Sequence, residues 1–380
     1  MTWQQSGLDT ALADLATGFR RLKGIGEGAT DDSAEILFEE WDWEIGVGLY
    51  GAFREAEAAR DAEAMARIGR WYDRKIAEGL PRIQVNSTAP MLTLALLADR
   101  TGREDWRQIV RDWADWIHDT MPRTEEAGYQ HTVKERDNDG QLWDDTLFMA
   151  VLFMAAAGRA EGRRDWSDDA EAQFLTHIRF LGDPGSGLFF HGWTFIGRHN
   201  YARALWARGN AWVTIAIPEL FRIARPSGAV ARHLGQVWRT QVAALLPLQG
   251  ESGLFHTLLD DPHSPPEASG SAGIGYGILA GAREGLLADA PFAAAARSAA
   301  DRIAGAIIAR IGPEGYLAEV SDGTPMGDTL DFYSRIPNTP TPYGQALGSL
   351  FLGELSRRDR PARTGAAAQQ GGHHGQHHTQ

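Results

Sequence analysis

The chain has 380 residues, 43% of them apolar and 23% charged, the balance of a soluble globular protein long enough to bury a large core. A formal net charge of −13 argues against nucleic acid as the main partner, because phosphate contacts need clustered Lys and Arg. There is no cysteine, so disulfides and thiolate metal sites are excluded; no basic-then-apolar leader and no bilayer-length apolar run stands out, and the expectation is a cytoplasmic protein without membrane contact.

Apolar residues recur at helical spacing along nearly the whole chain. The pattern predicts helices over Leu8–Leu22, Trp43–Arg60, Glu63–Gly79, Pro90–Arg100, Glu104–Met121 and Asp144–Glu161. It continues with Trp166–Leu181, Ala202–Ile223, Ala229–Leu246, Gly270–Leu287, Pro291–Ile311 and Pro342–Ser356. No strand-rich region is expected. The connections alternate between short turns and long segments, the long ones at Lys23–Asp42, Leu80–Ala89, Pro122–Trp143, Gly182–Tyr201, Pro247–Ser269 and Gly312–Thr341. Helices joined by short turns run antiparallel, so every second connection emerges at the same end. The expected fold is an all-α (α/α)6 barrel, with all long connections gathered at one end. A single catalytic domain is expected over residues 1–357 and a disordered His-rich tail over 358–380, where polar, Gly- and Ala-rich sequence lacks periodicity.

The long connections hold the chemically unusual residues. They contain Trp41, Asp42 and Trp43; Asn86; His131, Lys134, Trp143, Asp144 and Asp145; His191 and Trp193; His256 and Glu267; Trp206, Arg208 and Trp212 follow the fourth. Apolar faces with a few convergent polar groups are the make-up of a small-molecule pocket. Indoles pack cores, and they also stack on sugar rings. In "QLWDDTLFMA", Asp144 reads as a helix-head acid accepting backbone N–H bonds. Asp145 reads either the same way or as an acid desolvated beside Trp143, with the raised pKa that a general acid near neutrality needs. His131 and His191 either satisfy loop carbonyls or line the pocket. Arg208, between two tryptophans, either pairs with a structural Asp or Glu or meets a ligand carboxylate. Phosphate-cradling Gly-rich loops, HExxH and GxSxG are absent, and neither metal nor cofactor is expected.

The motifs "LWDDTLFMA", "FFHGW", "WARGNAW", "EASGSAGIGYGI" and "SDGTPMGD…FY" occur in an order that resembles the unsaturated glycuronyl hydrolases, closest to the unsaturated rhamnogalacturonyl hydrolases of glycoside hydrolase family 105. The resemblance runs from about Trp43 to Gly353 and implies an (α/α)6 barrel. It implies removal of a 4,5-unsaturated uronic acid from the non-reducing end of lyase-generated oligosaccharides, by hydration of the C4=C5 bond. It makes Asp145 the proton donor and Asp144 the variable position that caps. Trp43, Asn86, His131, Trp143, His191, Arg208 and Trp212 become substrate-binding residues. Asn86 departs from the family pattern, which usually has an acid there; Asn positions a hydroxyl but shares no proton. Two other readings stand beside this one. One is another (α/α)6 sugar enzyme, such as an inverting glycosidase pairing Asp145 with Asp42 or Glu267, an epimerase or a lyase; the other is a non-catalytic carbohydrate-binding toroid. The oligomeric state is left open.

Overall fold

The computed structural model describes residues 5–22, 38–287 and 289–359. Helices are α1 (Gln5–Arg21), α2 (Trp43–Ala59), α3 (Ala62–Glu78), α4 (Val85–Thr101), α5 (Glu104–Asp119), α6 (Leu152–Glu161) and α7 (Arg164–Leu181). There follow α8 (Ala207–Ala224), α9 (Gly228–Leu245), α10 (Ala268–Arg283), α11 (Ala290–Ile308), the short α12 (Leu330–Ser334) and α13 (Pro342–Asp359). One π turn, Leu147–Val151, leads into α6.

Six helices close a ring: α2 packs on α4, α4 on α6, α6 on α8, α8 on α10, α10 on α13, and α13 back on α2. Each has an outer partner, α3, α5, α7, α9 and α11 in turn, while α1 covers α13. This is the expected (α/α)6 barrel. The inner helices are buried almost all round, as α4 and α10 show, whereas α5 buries one stripe of Trp106, Val110, Trp113 and Ile117. Small residues bring the inner helices together. A Cβ on Gly277 of α10 would lie 2.5 Å from the Thr214 carbonyl oxygen of α8. The closed end is plugged by charge: fully buried Glu219 meets Tyr50, Tyr276, Arg222 and Arg283. Burial pushes this carboxyl up, but Arg222, Arg54 and Arg283 outweigh it and hold it below the usual range.

Every inner helix begins at the other end, among the long connections. Those connections satisfy amides that helix starts leave without intrahelical partners. Val85 N donates to Thr132 O at 3.0 Å, Ala207 N to Thr257 O at 2.9 Å and Ala268 N to Glu319 O at 2.7 Å. Two small antiparallel pairs stitch the segments further: β1 (Gln141–Trp143) on β2 (Gly192–Thr194), and β3 (Phe255–His256) on β4 (Pro266–Glu267).

Several element boundaries differ from expectation. Helix α4 starts at Val85 rather than Pro90, because Gln84 and Ser87 form a reciprocal cap. Asn86 is therefore in a helical first turn rather than a loop. Helix α8 starts at Ala207 rather than Ala202, because Tyr201 and Arg203 adopt left-handed φ of 52° and 55° and break the run. Helix α13 continues two residues past the expected domain end: Arg357 pairs with Glu354 and Arg358 with Asp301. The His-rich tail lies outside the described residues. Among the described residues, no helix is long and apolar enough to cross a membrane.

Candidate active site

Strand β1 runs into a turn that ends on the π turn, and this places the acid pair at the head of the third inner-ring segment. Helix geometry begins only at Leu147, so neither acid is its cap residue. Asp145 keeps its side chain 16% exposed, and its Oδ1 lies 3.4 Å from His131 Nδ1. That nitrogen is already engaged by Thr146 Oγ1 at 2.7 Å. Burial pushes the imidazole of His131 well below its ordinary pKa, with His191 adding to the effect, so the ring is neutral and the contact is not an ion pair. Burial raises the Asp145 carboxyl to about 7 against the opposing pull of Arg208. The carboxyl is thus about half protonated at neutral pH, where an exposed aspartate would be ionised.

Asp144 is not the expected cap. It is fully buried, and neither oxygen meets a donor in hydrogen-bond geometry. Its carboxyl lies against the head of α8, where a Cβ on Gly209 would come within 2.8 Å of the carboxyl carbon and closer still to Oδ2. Burial, then the charge of Asp145, raises its pKa well above the ordinary aspartate value. Its backbone N–H donates to His191 O at 3.0 Å and so joins β1 to the β2 segment.

The aromatic frame explains why both histidines stay neutral. His131 stacks on Trp143 at 4.1 Å and 5°. Trp143 meets His191 edge-on at 5.3 Å, and His191 lies 4.4 Å from Trp206. Burial, then Arg208, depresses His191 to about 3. Its Nδ1 shares a 2.7 Å hydrogen bond with the Tyr333 hydroxyl, while Nε2 is buried without a partner. Trp43 stacks on Tyr343 at 4.6 Å and stands edge-on to Trp212 at 6.4 Å. Trp212 is only 1% exposed and lies against Phe148, so it forms floor rather than an open stacking face. Asn86 is half-buried, and its side-chain amide meets no partner among the described residues. Pro90 has no N–H to give the Asn86 carbonyl four residues earlier.

Arg208 sits in the first turn of α8, 1% exposed, between Trp206 at 4.6 Å and Tyr343 at 4.8 Å. Its structural acid is Glu267, 3.7 Å from Nη1. Nη1 donates to Ser321 O at 2.9 Å and Ser321 Oγ at 2.6 Å; Nη2 donates to Asp322 O at 2.9 Å and Thr324 Oγ1 at 2.8 Å. Glu267 and Asp42, the two acids weighed as partners for Asp145, are both helix caps. Glu267 is fully buried and accepts from Ser269 N and Ser321 N, and Asp42 accepts from Trp43 N at 2.7 Å. Neither is a free base facing Asp145.

Sequence reasoning gave no role to Thr146, Ser321, Thr324 and Tyr333, although each lies inside a quoted motif, nor to Tyr343, which lies outside them. It also missed Glu44, which follows Trp43. Burial, then the charges of Asp42, Glu40 and Asp322, raises Glu44 to about 7.

What the heads of the inner helices assemble is a group of carboxyls whose pKa burial raises, Asp145, Asp144 and Glu44, with Asp145 beside the neutral imidazole that stacks on Trp143 and one buried cation, Arg208, nearby. Such a site in an (α/α)6 barrel defines a carbohydrate-active enzyme of the acid–base kind. The comparisons with known proteins make the class specific. The chain belongs to Glycosyl Hydrolase Family 88, whose profile matches residues 29–359. It is 30% identical over 321 residues to the unsaturated rhamnogalacturonyl hydrolase YesR of Bacillus subtilis, covering 83% of this chain and 89% of that protein. Among solved structures it is similar to a possible member of the GH105 family from Klebsiella pneumoniae, with 40% identity, a TM-score of 0.86, and 94% and 95% of the two chains covered. A possible GH105 member from Salmonella enterica gives 38% identity and a TM-score of 0.85, over 94% and 96% of the chains.

Proposed function

We propose that this glycoside hydrolase removes a 4,5-unsaturated uronic acid from the non-reducing end of lyase-generated oligosaccharides, with Asp145 as the acid. The observation that carries the reading is the environment of that carboxyl: raised to about 7 by burial, and 3.4 Å from neutral His131, which stacks on Trp143. The printed activity of the Bacillus relative supports the substrate class. So does the convergence of inner-helix N-termini on the site, since helix starts favour anions.

The substrate is an enol ether. Asp145 gives its proton to C4, and positive charge develops on C5 and the ring oxygen. Water then adds its oxygen to C5 and returns a proton to Asp145, which ends as it began. The product is a hemiketal at C5. Its C5–O5 bond breaks to a ketone, and the hemiacetal left at C1 collapses to an aldehyde, expelling the neighbouring sugar as an alcohol. One carboxyl serves both proton transfers, so the paired-carboxylate spacing of ordinary glycosidases does not apply. Arg208 is the cation for the uronate carboxylate, Trp43 and Trp143 flank the ring, and Asn86 and His191 Nε2 are free to meet hydroxyls. Neutral Asn86 bears on which uronide is preferred. The compartment we propose is the cytoplasm, which the lack of cysteine favours.

The test uses unsaturated disaccharides of galacturonate and glucuronate origin and follows loss of the ultraviolet absorbance of the conjugated double bond. In heavy water, deuterium is expected at C4 of the product. Cleavage without that label, or equal cleavage of saturated glycosides, refutes the hydration mechanism in favour of a direct glycosidase.

A further inference from the structure

The cation that should receive the uronate carboxylate is already fully engaged by the chain itself. Both Nη atoms of Arg208 are held by the segment Ser321–Thr324, and its side chain is 1% exposed. The two ends of the fork are held differently. Nη1 faces the interior: its acceptors are buried Ser321 and Ser269, with Glu267 behind them, and Ser321 is itself pinned by Glu267 and by the Tyr343 hydroxyl at 2.6 Å. Nη2 lies toward the exposed side, and its acceptors among the described residues are the carbonyl of exposed Asp322 and the hydroxyl of half-buried Thr324. Both are neutral oxygens, weaker partners for a guanidinium than a carboxylate.

The segment beyond is lightly anchored. Ser321 and Asp322 belong to a paired stretch, with Asp322 N donating to Pro337 O at 2.9 Å. Among the described residues, no backbone–backbone hydrogen bond ties residues 323–328 to the fold. Side chains hold them instead: the Thr324 hydroxyl accepts from Arg208 and donates to Asp322 O, Gly323 N donates to Asp322 Oδ1 at 2.8 Å, Gly327 N donates to the Tyr333 hydroxyl at 3.1 Å and packs on Phe332, and Met326 lies against Gly192 and the Tyr333 hydroxyl. Gly323, at the start, has open space where a Cβ would be. Few backbone bonds and an unpacked glycine mark a segment that opens locally at little cost.

We propose that residues 323–328 form a strap that occupies the outer end of the Arg208 fork, and that the substrate carboxylate enters by taking over the bonds now accepted by Thr324 Oγ and Asp322 O. Thr324 is then a positioning and specificity-determining residue: it holds the fork aimed while no anion is present and makes neutral ligands compete poorly for it. This rests on the function proposed above. The exchange is between hydrogen-bond acceptors on one cation, so no proton moves and the charge state of Arg208 is unchanged. Released from Thr324 and Asp322, the strap keeps its Tyr333 contact, which ties its far end to the partner of His191.

Thr324→Val removes one competing acceptor. The KM for an unsaturated disaccharide is expected to fall about threefold to tenfold, with kcat within about twofold, the effect of losing one ordinary hydrogen bond. Thr324→Ser should restore the wild-type KM. A KM that is unchanged or raised in Thr324→Val overturns the proposal, since a merely structural tie would act that way. A second measurement does not depend on that variant folding. In Asp145→Asn with saturating disaccharide, amide exchange over residues 323–328 should quicken several-fold, and unchanged or slower exchange there overturns the strap. Should the wild-type protein leave unsaturated disaccharides intact, the proposed function itself falls. Should it hydrolyse them while KM and exchange stay put, only the strap falls.

Discussion

Replacing Asp145 by Asn should abolish catalysis and at the same time stabilise the fold. Burial lifts this carboxyl from the ordinary aspartate value to about 7, roughly three decades in proton affinity, or about 4 kcal/mol. The sign follows from linkage. A folded-state pKa above the unfolded one favours folding while the group is protonated; that contribution is complete below about pH 4 and is lost as pH rises through about 7. Above neutrality the wild-type protein therefore carries a buried carboxylate that the Asp145→Asn variant lacks. The variant should be more stable at pH 8 by up to about 4 kcal/mol, with little difference at pH 4. The same titration governs the rate. Proton donation needs the acid form, so kcat/KM, which follows the free enzyme, should be level on the acidic side and fall about tenfold per pH unit above about 7. The variant should lose about a hundredfold or more, the usual worth of a general acid. Urea unfolding at pH 4 and pH 8, with kcat/KM–pH profiles from the double-bond absorbance, measures both halves. A variant within tenfold of wild type, or a stability gain no greater at pH 8 than at pH 4, refutes the assignment of a desolvated proton donor.

Arg208→Met leaves buried Glu267 without its cation and should cost about 3–5 kcal/mol in chemical denaturation, with any residual activity showing a raised KM. Gly209→Ala drives a Cβ into the Asp144 carboxyl and should cost about 1–3 kcal/mol despite the better helix former, with kcat falling more than KM rises. Tyr333→Phe removes the hydrogen bond to His191 Nδ1 and should lower kcat about tenfold while costing only about 1 kcal/mol of stability. Equal losses in kcat and stability there would make Tyr333 a packing residue alone.

The helices and their alternation of short and long links were legible because helical periodicity is local, and a short turn leaves two helices no choice but to run antiparallel. The misplaced starts of α4 and α8 have local causes of another kind. Proline is usual in a first turn, but Pro90 sits past one because the Gln84–Ser87 cap satisfies the earlier amides. The left-handed residues Tyr201 and Arg203 carry no glycine to announce them. Asp145 was legible from its motif, but the fate of its neighbour was not: Asp144 faces Gly209, 65 positions along the chain, and no helix-head rule foresees that.

From the sequence alone came the closed ring of hairpins, the end at which the unusual side chains gather, and the one carboxyl set beside an indole, because each is written in spacings of a few residues. Only the tertiary structure decided which groups stand free. Arg208 meets its acceptors 61 to 116 residues away, and His191 meets Tyr333 across 142. Such pairings leave no periodic trace, since what selects them is the fit of connections that meet only after the ring has closed.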